Sequence, residues 1–147
     1  MIRIEEELMW LGRLAAAMAF AGILGWEREK VGKSAGLRTH MLVAFGAALV
    51  AILAEAIADD FSGYGDRLRF DPLRVLEAVL TGVGFLGAGM IFLAKDGERV
   101  KGLTTAASIW ATAGVGVATG VGEYVLAGGG TLLVFVVLHL VGRVFPE

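Results

Sequence analysis

Residues 37–58 read LRTHMLVAFGAALVAILAEAIA, a run with one acid, Glu55, after the polar start at 38–40. A helix rises about 1.5 Å per residue and a bilayer core is about 30 Å thick, so about 20 apolar residues span it. Four more stretches resemble it in length and composition: 8–26, 73–94, 103–121 and 124–145. Because backbone polar groups within lipid must bond inside their own segment, the sequence predicts five transmembrane helices in one compact all-α bundle.

Composition supports a polytopic membrane protein and excludes other classes. Hydrophobic residues make up 56% of the 147 residues, against about 45–50% in soluble domains even with glycine included. The chain has no cysteine, which excludes disulfides, thiolate metal sites and cysteine nucleophiles. The acidic start lacks the basic region of a secretory signal. We therefore expect residues 1–147 to form a single transmembrane domain without a soluble module.

Charge is divided between the two ends of the predicted bundle. The side reached by the ends of spans one, three and five carries most of the cations: Arg28, Lys30, Lys33, Arg38, Lys95, Arg99, Lys101 and Arg143. The N-terminal side has Arg3, Arg67, Arg69 and Arg74, and most acids: Glu5, Glu6, Glu7, Asp59, Asp60, Asp66, Asp71 and Glu123. Lysine and arginine in short loops face the cytoplasm. The N-terminus is thus predicted outside and the C-terminus inside.

The third span carries a run of glycines. Gly82, Gly84 and Gly87 match a dinucleotide-binding pattern literally, but no strand precedes them and they lie inside an apolar span. The spacing favours helix packing instead, with Gly82 and Gly89 on one face and Gly84 four residues before Ala88. The predicted partner is span four, through its small residues Ala106, Ala107, Ala111, Gly114 and Ala118. A glycine-lined passage is the alternative.

Ionisable residues inside the predicted spans are candidates for function. Arg13 and Glu77 both lie about five residues from the outer end of their spans, and this matching depth predicts an ion pair. A purely structural pair is the alternative. Glu55, near the outer end of span two, is expected to reach water.

Polar residues also accumulate at the cation-rich end. Seven of them form the predicted functional cluster: Glu27, Arg28, Arg38, Thr39, His40, Thr104 and Thr105. A charge-assisted pair of Glu27 with Arg38 is sterically reasonable. The alternative is that these residues only cap helices and anchor the chain. Two histidines in the whole chain are too few for a metal site, which needs three or four ligands, so no metal or cofactor is predicted.

Five short motifs resemble the MgtC/SapB family in order and spacing. They are Gly25-Trp-Glu-Arg28, Ala35-Gly-Leu-Arg-Thr-His40, Asp71-Pro-Leu-Arg74, Gly82-Val-Gly-Phe-Leu-Gly-Ala-Gly89 and Gly102-Leu-Thr-Thr-Ala-Ala107. The family's motif residues fall on Glu27, Arg38, Thr39, His40, Asp71, Arg74, Thr104 and Thr105. Asp71 and Arg74 form an outer-side motif. The family often has a small residue where this chain has Glu77.

The resemblance implies a bacterial inner-membrane protein of the type induced by magnesium limitation and linked to virulence. It also implies contact with the membrane sector of the F-type ATP synthase, which some members restrain. Many members carry a soluble C-terminal domain that this sequence lacks, so we expect a short form. The expected partners are lipid, a second copy in a homo-oligomer such as a dimer, and a membrane complex; nucleic acid is not expected.

Three kinds of function can be compared with the sequence. A regulatory protein that acts through helix contacts fits the uncharged middle of the spans and the abundant small residues. A magnesium transporter or channel would place polar or carboxylate groups at mid-depth or break the helices; an oligomer could still build such a pore. An intramembrane enzyme needs a nucleophile with a nearby base or a metal cluster, and no catalytic residue is predicted.

Overall fold

The computed structural model describes residues 2–61, 71–93 and 101–145. Five long helices follow one another along the chain: α1 (Ile2–Lys30), α2 (Leu37–Phe61), α3 (Pro72–Leu93), α4 (Leu103–Gly120) and α5 (Tyr124–Val136). A π-helical turn, Val137–Val141, and a last short helix, α6 (Gly142–Val144), extend α5. No strand occurs in these three ranges, which confirms the all-α prediction. The predicted loop charges at 62–70 and 94–100 lie outside the described residues.

Four segments are long and apolar enough to cross a membrane: Ile4–Lys30, Leu37–Asp59, Leu73–Ile91 and Tyr124–Val144. Large apolar side chains point outward from them, including Phe85 and Val125, which are 80% and 91% exposed. Large exposed apolar side chains on helices of this length contact lipid rather than water. The chain is therefore a membrane protein. These segments confirm four of the five predicted spans.

Helix α4 forms over the residues predicted for the fourth span, but it is not among those four segments. It contacts α1, α2, α3 and α5. Four of its hydroxyl side chains are buried: Thr105, Ser108, Thr112 and Thr119. A helix surrounded by other helices needs fewer apolar residues than one that faces lipid, which explains its lower apolar content.

The tightest helix contact joins α2 and α4. A Cβ atom added to Gly116 would lie 2.5 Å from the carbonyl oxygen of Ala44, and one added to Gly120 would lie 2.7 Å from that of Ala48. Both pairs are spaced by four residues, so each forms one face of its helix. Gly116 and Gly120 are not among the packing residues predicted from the sequence.

The predicted packing of α3 through its glycines is correct for Gly87 only. A Cβ on Gly87 would contact Ala106 at 3.5 Å, but Gly82, Gly84 and Gly89 are exposed and have no neighbour within 4 Å. The buried face of α3 instead repeats every four residues through Val79, Val83 and Gly87. Residues 82, 84 and 89 fall on other faces of the helix, so the prediction that they pack against α4 is wrong.

The predicted turn between the fourth and fifth helices is confirmed. Helix α4 ends at Gly120 and α5 begins at Tyr124. Gly122 has a φ of +86°, a conformation that residues with a side chain rarely adopt. The N–H of Gly122 donates to the Thr119 carbonyl and that of Glu123 to the Ala118 carbonyl, which closes the helix end.

Candidate functional site

The cation-rich end of the bundle, where α1 and α5 end and α2 and α4 begin, holds a buried ion pair. Arg28 Nε donates to Glu27 Oε2 at 2.5 Å, and both residues are about 95% buried. Arg28 Nη2 also donates to the carbonyl oxygen of Leu138 at 3.0 Å. A buried pair is tolerated when further hydrogen bonds satisfy its remaining donors. The Leu138 bond meets part of that requirement and ties α1 to the end of α5.

The Leu138 carbonyl lies within the π-helical turn Val137–Val141. In such a turn the backbone bonds shift from the i+4 to the i+5 partner, and π turns are frequent at functional sites. The carbonyl that accepts from Arg28 thus lies where the backbone departs from regular α-helix. The turn also carries His139, whose ring stacks on Phe135 and whose Nδ1 lies 3.7 Å from Glu27 Oε1.

His40 is fully buried between α2 and α4. Its Nδ1 lies 2.9 Å from the Gly36 carbonyl oxygen, and its Nε2 lies 3.1 Å from Ser108 Oγ. A carbonyl only accepts, so Nδ1 carries a hydrogen. In the neutral ring Nε2 then accepts from the Ser108 hydroxyl, which has the Thr105 carbonyl at 2.8 Å as its other acceptor. Ser108 therefore has two competing acceptors.

The end of α1 and the start of α2 are in close contact, which positions the buried ion pair and His40. A Cβ on Gly25 would lie 2.7 Å from Leu37 Cα, so only glycine lets α1 approach the start of α2 this closely. Glu29 Oε2 accepts the N–H of Leu37 at 2.7 Å, which satisfies a free donor in the first turn of α2. Neither Gly25 nor Glu29 was singled out as a site residue from the sequence.

The structure divides the predicted cluster into three groups. Glu27, Arg28 and Thr104 line a cleft of about 550 Å³ with residues of the π turn, and His40 and Thr105 are buried. Arg38 and Thr39 are exposed and line a separate groove of about 580 Å³ between α2 and α3.

The predicted pair of Glu27 with Arg38 is wrong, because the partner of Glu27 is Arg28. Helical residues two apart do not share a face. With His40 turned inward, Arg38 faces outward.

The predicted pair of Arg13 with Glu77 is also wrong. Arg13 Nη1 binds Glu55 Oε2 at 2.6 Å and the Gly120 carbonyl oxygen at 2.9 Å, while Glu77 is exposed on α3. The pairing fails because the neighbours of α1 are α2, α4 and α5 rather than α3. Arg13 thereby joins three helices at the acidic end.

Asp71 and Arg74, the predicted outer motif, lie at the start of α3. Asp71 Oδ1 accepts the Leu73 N–H at 3.0 Å, as an N-cap residue does. Arg74 Nε lies 4.0 Å from Asp71 Oδ2, and both side chains are exposed. The arrangement is that of a helix cap with a weak surface pair.

No group of three or more His, Cys, Asp or Glu side chains within the described ranges could hold a metal ion. His139 lines the cleft but is not one of the seven residues of the predicted functional cluster. The spacing of Phe135 and His139, four residues apart on one helix face, was a signal for the stacked pair. The hydrogen bond to the Leu138 carbonyl has no such signal, because every residue has a carbonyl.

In comparison with known proteins, residues 14–145 of the chain match the MgtC family. The chain is 43% identical to the "Putative magnesium transporter YhiD" of Escherichia coli (strain K12) over 129 residues, 87% of this chain and 58% of that protein. It is 43% identical over 109 residues to "Protein MgtC" of Brucella abortus (strain 2308), covering 74% of this chain and 41% of that protein. It is 40% identical over 112 residues to "Protein SapB" of Bacillus subtilis (strain 168), covering 76% of this chain and 47% of that protein.

The chain thus spans about half the length of the curated relatives that it matches. No solved structure matches it significantly.

Proposed function

The chain belongs to the MgtC family, and from this premise we propose that it is a regulatory protein of the bacterial inner membrane that acts through helix contacts with membrane partners. Its five long helices all cross the membrane in this proposal, including α4, with the N-terminus outside and the C-terminus inside. The proposed setting is adaptation to low magnesium and survival in a host. The names of the Escherichia coli, Brucella abortus and Bacillus subtilis relatives specify no catalytic activity.

The observation that carries this proposal is the surface of α3. Helix α3 packs mainly on α4 and only lightly on α2, which leaves the α2–α3 groove open. Gly82 lines that groove next to Ala78 and Val79, and a Cβ on Gly82 would meet nothing within 4 Å. Helices in lipid associate through small residues that let backbones approach. We propose that a helix of the partner lies in this groove, with the F-type ATP synthase membrane sector as the first partner to test and a second copy as the next.

A pair of glycine substitutions tests the proposal. Gly82→Leu fills the groove without a clash inside the chain, so the protein should keep its abundance and thermal stability. Gly129→Leu is the matched control, because Gly129 of α5 is also exposed with no neighbour within 4 Å. We expect Gly82→Leu to lose the partner chains that co-purify with wild type in mild detergent and to lose growth at low magnesium. Equal behaviour of the two variants would remove the groove from the proposal.

Magnesium transport is the second candidate, and the name of the Escherichia coli relative, a putative magnesium transporter, favours it. The buried hydroxyl groups of α4 are the structural observation on its side. The Thr112 hydroxyl donates to the Ser108 carbonyl and the Thr119 hydroxyl to the Val115 carbonyl, so the hydrogens of these two groups are already bonded within the helix. Uptake of Mg²⁺ by liposomes that contain the purified chain, lost in Thr112→Val, would favour transport over regulation.

A further inference from the structure

A second surface, independent of the proposed partner groove, is the cleft between the end of α1 and the π turn. We propose that this cleft binds the phosphate headgroup of an anionic phospholipid. Three permanent cations line it, Arg28, Lys33 and Arg143, together with His139. Among the described residues of the lining, Glu27 is the one carboxylate, and Arg28 already binds it. Arg143, which is exposed, therefore adds a positive charge to the lining beyond the Glu27–Arg28 pair.

The walls of the cleft also carry apolar side chains, which suit the apolar part of a lipid. Val31, Val137, Val141 and Phe145 line it beside the cations. Val141 and Phe145 are also exposed on the outer surface, where they continue into the apolar face of the last span. A free phosphate ion would make no favourable apolar contact with these side chains. The glycerol and first acyl carbons of a lipid would cover them and remove them from water.

The position of the cleft fits a headgroup. It lies where the apolar segments Ile4–Lys30 and Tyr124–Val144 both end, which is the depth of the lipid phosphates. Basic residues at this boundary attract anionic lipids. The cleft is also fixed in shape, because Arg28 binds Glu27 and the Leu138 carbonyl at once. The bound lipid would hold the end of α5 against α1.

Native mass spectrometry of the purified chain in detergent tests the proposal. The probes are phosphatidylglycerol and phosphatidylcholine with the same acyl chains, each added in a titration. We expect phosphatidylglycerol to bind more tightly, and we expect Arg143→Gln to weaken its binding about fivefold. Arg38→Gln is the control, since Arg38 lies at the same end of the bundle but outside the cleft. It should leave binding unchanged.

Several outcomes would overturn the proposal. Equal binding of the two lipids would do so, as would an equal loss in Arg38→Gln, which would indicate general attraction at the membrane surface. A third arm adds inorganic phosphate and follows thermal unfolding. Stabilisation by phosphate that Arg143→Gln abolishes, without any preference for phosphatidylglycerol, would assign the cleft to a free anion instead. All variants change exposed or rim side chains, and size-exclusion profiles confirm that each is folded before titration.

Discussion

At the scale of single residues, burial decides what a charge contributes. The Glu27–Arg28 pair and the Asp71–Arg74 pair combine the same residue classes, but the first is almost completely buried and the second is exposed. An exposed pair contributes little because water and salt screen it. Loss of one partner of a buried pair leaves an uncompensated charge in an apolar setting. The two pairs thus allow a matched comparison within one chain.

We predict that Arg28→Met lowers the free energy of unfolding by about 3–5 kcal/mol, because it leaves the Glu27 carboxylate buried without its cation. Arg74→Met should change stability little, since its pair is exposed and 4.0 Å long. Thermal unfolding in detergent measures both. Adding Glu27→Gln to Arg28→Met should recover part of the loss because it removes the stranded charge. If the double variant is no more stable than Arg28→Met, the buried Glu27 carboxylate costs little without its cation, which would contradict the prediction.

The sequence indicated Glu27, Arg28 and His40 as candidate site residues because they lie in short polar motifs at the ends of two apolar spans. It could not assign their partners. Arg38 is two residues from His40 and therefore faces another surface, but the choice of which residue points inward depends on how α2 is rotated against its neighbours. Arg13 shows the same limit: its depth follows from counting residues, while Glu55 rather than Glu77 is its partner because α2 adjoins α1.

At the scale of helices, close packing depends on where glycine faces rather than on how many glycines a helix has. The run on α3 is denser, yet Gly116 and Gly120 of α4 make the closest contacts, against the backbone of Ala44 and Ala48. The four-residue spacing of Gly116 and Gly120 was a usable signal in the sequence. It could not be ranked above the α3 run without knowing that α4 lies between the other helices.

We predict that Gly116→Ala destabilises the protein by about 1–3 kcal/mol, because the added Cβ would meet the Ala44 backbone and force α2 and α4 apart. Gly114→Ala is the control on the same helix. Gly114 is exposed with nothing within 4 Å, and alanine there should stabilise the helix by about 0.5–1 kcal/mol. Thermal unfolding of the two variants should shift in opposite directions. Shifts of the same sign would contradict the close contact of α2 and α4.

At the scale of the whole molecule, hydropathy predicted the number and extent of the helices because lipid imposes one strong requirement on every span. That requirement weakens for α4, which lies among the other helices and carries hydroxyl groups instead of large apolar side chains. Whether α4 crosses the membrane therefore determines the topology of the chain. If it does, the α1–α2 loop and the α4–α5 turn lie on opposite sides; if it does not, they lie on the same side.

We predict opposite sides, with the α1–α2 loop in the cytoplasm. Ser34 in that loop and Glu123 in the α4–α5 turn are both exposed, and the chain has no cysteine of its own, so single cysteines there can be labelled without background. In intact cells an impermeant thiol reagent should label Glu123→Cys, and Ser34→Cys should react only after permeabilisation. The physical reason is the cluster of Arg28, Lys30 and Lys33 around Ser34, which favours the cytoplasmic side. Reaction of both cysteines on the same side would mean that α4 does not cross, and reversed labelling would invert the orientation.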